Sequence, residues 1–88
     1  MSLLLTPIAW KQDLKPSAKL VLLFLADCAG DDACCSPSID VIAKAVGVTT
    51  MTIHTALNAL EKAALIEREN RPAAANLYRL HLREEQEA

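Results

Sequence analysis

Cys28, Cys34, Cys35, His54 and His81 are the side chains of this sequence best suited to metal ligation or nucleophilic chemistry. A structural zinc site takes four tetrahedral ligands. The thiols supply three of these, and the adjacent pair Cys34-Cys35 fits awkwardly around one ion. His54 and His81 stand at no spacing that recruits either as the fourth, so no metal site and no cofactor is expected. An odd cysteine count with two neighbours is not a disulfide framework either; reduced thiols in a cytosolic protein fit better. Covalent catalysis needs a nucleophile, a base and oxyanion donors, and nothing here assembles that set. A glycine loop that cradles phosphate is also missing from a chain whose only glycines are Gly30 and Gly47. No catalytic residue is assigned, and an enzyme is not expected.

A second set of residues is better organised. Met51, Thr55, Asn58 and Lys62, with His54 beside them, fall on the side of a helix opposite Ile53, Leu57 and Leu60. Thr49 and Thr50 lie at the start of that helix. Short hydroxyls and the free N–H groups of a helix N-terminus suit phosphate contact. Asn58 can pair with an adenine edge, and Met51 or a threonine methyl can meet a thymine methyl. Ser38 opens the preceding helix, a position that faces a phosphate in many two-helix DNA readers. Arg68, Arg71 and Arg79 hold positive charge further along the chain. For each of these residues the plain alternative is a solvated surface. That alternative is preferred for Lys62 and equal for His54.

The elements that must position these groups follow from composition and pattern. Eighty-eight residues, 52% of them hydrophobic and 23% charged, make one domain with a core and exclude a disordered chain. With one Phe, one Trp and one Tyr, that core must be aliphatic. The formal net charge is −2, carried by the acidic tail 83–88, and the rest of the chain balances. A basic face is therefore permitted but not demanded. Leu3-Leu4-Leu5 has no basic region before it and is cut by Thr6-Pro7, so it is not a signal peptide. Leu20 to Ala26 is far short of a membrane span.

Residues 1–15 read as an N-terminal arm in which Trp10 anchors against the first helix. Pro16-Ser17 opens that helix, with Ser as a good cap, and its apolar run Leu20 to Leu25 marks it as the central, buried one. Gly30 ends it as a left-handed cap, and Asp31-Asp32 continues into an exposed loop. Ser38 caps a second helix through Val46, whose face is Ile39, Ile42, Ala43 and Val46. Gly47 stops it, and Thr49 caps a third helix with Ile53, Ala56, Leu57, Leu60 and Ala64 on one side. Glu67–Glu69 and Leu77–Leu82 read as two strands around a loop from Asn70 to Asn76. Residues 83–88 are a polar tail.

Helix, glycine turn, helix and hairpin, in that order, describe a mainly α fold with a small β-hairpin: a winged helix-turn-helix with a three-helix core and a two-stranded wing, spanning residues 1–82. The chain also resembles the helix-turn-helix domains of phage and plasmid replication proteins and of small prokaryotic transcription regulators. That resemblance rests on Leu14 to Leu22, Leu25-Ala26-Asp27, Ser36-Pro37-Ser38-Ile39, Leu60 to Ile66 and Asn76-Leu77-Tyr78. It implies double-stranded DNA as partner, the third helix in the major groove and the wing along the backbone. It departs from the family at Thr50-Met51-Thr52, where a basic residue is common, and at Ala64, where glycine is common and the exchange reads as neutral. A homodimer on two half-sites is a further expectation, with Leu3-Leu4-Leu5, Ile8 and Trp10 as contact surface. Other replication or transcription proteins are further possible partners, no membrane is expected, and a winged helix used for protein–protein interaction is the competing reading.

Overall fold

The computed structural model describes residues 5–30, 32–71 and 75–81. Its elements are α1 (Leu5–Trp10), α2 (Pro16–Cys28), β1 (Cys34–Cys35), α3 (Ile39–Val46), α4 (Thr50–Lys62), β2 (Ile66–Glu69) and β3 (Leu77–Leu80). Leu3 and Leu4, Asp31, Pro72 to Ala74, Leu82 and the tail 83–88 lie outside the described residues.

α2 is the central element and packs against α1, α3 and α4. Its residues Val21, Leu22, Leu25 and Ala26 are fully buried, whereas Leu20 is exposed, so the apolar run is covered on most sides rather than all. Pro16 occupies the first turn, where its missing N–H removes no intrahelical bond. The capping position belongs to Lys15, whose side chain makes no cap hydrogen bond, and not to Ser17. At the other end Ala29 terminates the helix in extended conformation, and Gly30 does not adopt a positive φ. Among the described residues of this connection, the left-handed one is Ala33, at φ 61°.

Local capping positions the next two helices. Ser38 Oγ accepts from Val41 N–H at 3.2 Å, and Thr49 Oγ1 accepts from Thr52 N–H at 3.2 Å. Between them Gly47 turns the chain at φ 87° while its N–H and that of Val48 both donate to the Ala43 carbonyl. This is a left-handed helix stop of the kind glycine serves best. Ile42, Ile53, Leu57 and Leu60 are fully buried, which places the inner faces of α3 and α4 in one core with α2.

Two elements go beyond the three-helix, two-stranded expectation. α1 is a six-residue helix inside the N-terminal arm, too short to stand without packing. Its fully buried Ala9 makes that contact with the core, while Trp10 is 59% exposed and is not the anchor. β1 converts the hairpin into a three-stranded antiparallel sheet of order β1-β3-β2. Cys35 faces Tyr78 and Cys34 faces Arg79, while β2 pairs Ile66 with Leu80 and Arg68 with Tyr78. Tyr78, Leu80, Ile66 and Cys35 form the buried side of the sheet. Burial there pushes the Cys35 thiol up to about 12, with Cys28, Cys34 and Asp32 adding, so this thiol stays protonated and donates to the Leu25 carbonyl.

Ala64 is not neutral. It sits at φ 61° just past α4, its N–H bonded to Glu61 O at 2.9 Å and that of Leu65 to Leu60 O at 3.0 Å. This paired-bond stop requires a left-handed residue, which alanine enters at a steric cost. It also explains why Ala64 is exposed rather than part of the buried face of α4. Ala64→Gly is expected to stabilise the fold by up to about 1 kcal/mol, the relief of the left-handed alanine less the entropy that glycine adds to the unfolded chain. Urea unfolding checks it; a destabilised variant would show that the turn is not strained.

Candidate nucleic-acid interface

The outer face of α4 is open. Thr50, Met51, His54, Thr55 and Asn58 are exposed, and Met51 at 76% is the most exposed large apolar side chain among the described residues. The opposite face, Ile53, Ala56, Leu57 and Leu60, is buried. A helix fixed by its inner side to α2 and α3 presents its outer side as a rigid ridge.

Hydrogen bonding narrows what each residue can offer. Thr50, Met51 and His54 have no side-chain partner among the described residues. Thr55 donates its hydroxyl to Met51 O at 3.1 Å, so its oxygen and methyl remain for contact but its proton does not. Thr49 is committed to its cap and shares a 3.0 Å hydroxyl–hydroxyl bond with Thr52. Ser38 accepts as a cap, which leaves its hydroxyl proton free to donate outward.

The three arginines separate. Arg68, in β2, reaches back to α4 and donates to Glu61 Oε1 at 2.5 Å and Asn58 Oδ1 at 2.8 Å. Arg79, on the outer side of the sheet, bonds Glu67 Oε1 at 3.1 Å across the strand pair. Arg79, then His81, hold the Glu67 carboxyl below its ordinary range. Among the described residues Arg71 has only neutral partners: Ser36 Oγ, and Ala75 O through Nε at 3.2 Å and Nη2 at 3.1 Å. Arg71 is thus the wing arginine whose charge no carboxylate offsets among the described residues. Ser36 also donates toward Asn76 O at 3.0 Å, tying the strand connection before α3 to the base of the wing.

Two participants escape a reading of the sequence. Lys44, in the last turn of α3, lines a surface hollow with Asp40, Gly47, Thr49 and Thr50 and so puts a cation, with one carboxylate in the same hollow, beside the start of α4. Its position on the preceding helix hides it from a wheel drawn on α4. Glu61 is the other, because it neutralises Arg68 only once β2 folds back against α4.

Among the described residues no group of three or more His, Cys, Asp or Glu could hold a metal ion, and no helix is long and apolar enough to cross a membrane. A core of packed helices, a glycine-turned helix pair and a small antiparallel sheet with an exposed second helix define a winged helix-turn-helix, a class built for DNA binding. The family model described as "Helix-turn-helix domain" matches residues 12–66, more than half the chain, and the protein belongs to that family. No curated protein matches it.

Proposed function

We propose that this domain binds double-stranded DNA sequence-specifically, with α4 in the major groove and the loop between β2 and β3 on the backbone, in transcription regulation or in replication initiation of the phage and plasmid type. The observation that carries the reading is the outer face of α4: polar, largely uncommitted and bearing an exposed Met51, in a helix-turn-helix whose inner face is locked in the core. Thr50, Met51, His54, Thr55 and Asn58 are the groove-facing set. Thr49 and Ser38 bring helix N-termini toward phosphates. Arg71 with Lys44 supplies the charge. Trp10 and Leu20, both exposed and apolar, are the surface on which two copies would meet on adjacent half-sites.

Titration of a fluorescent duplex at several salt concentrations tests this. The wild type is expected to bind with an affinity that falls as salt rises. Arg71→Ala should flatten the log–log slope by about one unit on every duplex. Arg79→Ala should change it less, because Glu67 already offsets that charge. Equal slopes for wild type and Arg71→Ala would remove the wing as the electrostatic arm. Failure of the wild type to bind any duplex even at low salt would favour a winged helix that docks on protein.

A further inference from the structure

We infer that Arg68 is a positioning residue that sets which base Asn58 reads, turning its amide into a donor for a guanine edge. This rests on the DNA-binding reading above. An arginine has no acceptor, so the atom of Asn58 that meets it must be the carbonyl oxygen. The observed contact is Arg68 Nη2 to Asn58 Oδ1 at 2.8 Å. The same nitrogen donates its other proton to Glu61 Oε1 at 2.5 Å, so both of its N–H groups are used. The Arg68 side chain is 21% exposed, and Glu61 anchors it one helical turn from Asn58. The amide oxygen is therefore held by the guanidinium, which the Glu61 carboxylate anchors in turn.

Held this way, Asn58 has its oxygen turned inward and its Nδ2 protons left for a ligand on an exposed face. Asparagine reads adenine by accepting from N6 and donating to N7 together. The first half of that pair would have to approach an oxygen already bonded to a cation, bringing a second donor against the guanidinium. Guanine presents only acceptors, O6 and N7, along the same edge. An amide polarised by a charged partner donates more strongly. The positive charge of Arg68 beside it favours the acceptor-rich edge as well. Asn58 thus departs from the adenine pairing expected for an isolated asparagine on a recognition helix.

The test is selection of binding sites from a duplex pool randomised over about two helical turns, using the wild type, Asn58→Ala and Arg68→Ala. Circular dichroism establishes first that each variant is folded. The wild type should enrich a site with guanine at one position, and Asn58→Ala should lose that preference by about tenfold at that position alone. Arg68→Ala releases Oδ1 and should shift the same position from guanine toward adenine, a change that simple loss of stability would not produce. Any other base at the Asn58-dependent position of the wild type, or no Asn58-dependent position at all, overturns the inference even if Arg68→Ala does not fold. Guanine retained in a folded Arg68→Ala would remove Arg68 from the role. If the wild type enriches no sequence, the DNA-binding reading itself falls, which is a separate outcome.

Discussion

Leu57→Ala is expected to destabilise the domain by about 2–5 kcal/mol, whereas His54→Ala, three residues earlier on the same helix, should stay within about 0.5 kcal/mol. Leu57 is fully buried, in one cluster with Leu22, Leu25, Ile42, Ile53 and Leu60. Truncation there removes the transfer energy of the lost methyl groups and leaves a cavity that helices pinned by their caps cannot easily close. A domain of this length has about 4–13 kcal/mol in all, so the loss is a large share of the total, and at the low end of that range the variant would be close to unfolding. Leu57→Met, which nearly conserves volume, should lose less than about 1.5 kcal/mol. Denaturant midpoints for the three variants check the sidedness of α4. A small loss at Leu57 with a large one at His54 would invert the faces and take the proposed DNA surface with it.

The sidedness of α4 is legible without coordinates, because its apolar positions recur at the helical period and its flanks carry the chemistry of helix ends. Ser38, Gly47 and Thr49 act on backbone groups within a few residues of themselves, so their roles follow from local sequence. The features that local sequence hides are those made by distant packing. α1 and β1 are too short to have a period, and each exists because a partner covers it: α2 for α1, and β3 for β1. Gly30 looks like a cap because a glycine follows a long helix, yet the extended Ala29 ends α2 and the left-handed turn falls on Ala33.

Charge is the least legible property of the site. Arg68, Arg71 and Arg79 are equivalent cations in the sequence. The fold gives Arg68 a carboxylate on the neighbouring helix, gives Arg79 one across the strand pair and leaves Arg71 with neutral partners. The offsetting residues are seven and twelve positions away, separations that carry no pairing signal until β2 packs on α4 and β3 pairs with β2. The helical period places Asn58 on the outer face of α4, but the direction its amide faces depends on the same folding back of β2.

Gly47→Val should destabilise by about 1–3 kcal/mol through backbone conformation. A Cβ at Gly47 would meet nothing within 4 Å, so the Cβ itself adds no clash and the backbone at φ 87° carries the cost. A β-branched side chain is the least tolerant of that region, whereas asparagine visits it readily. Alanine is intermediate, as the chain itself shows by holding Ala33 and Ala64 at φ 61°. The expected order of stability is therefore wild type, Gly47→Asn, Gly47→Ala, Gly47→Val. With about 4–8 °C of melting temperature per kcal/mol for a domain of this size, the valine variant should melt well below the others. The turn also sets the angle between α3 and α4. Any valine variant still folded at low temperature should therefore lose duplex affinity although Gly47 has no side chain to read a base. A melting curve for Gly47→Val that matches the wild type would mean the chain does not turn left-handed here, and α4 would lose the hinge that points it outward.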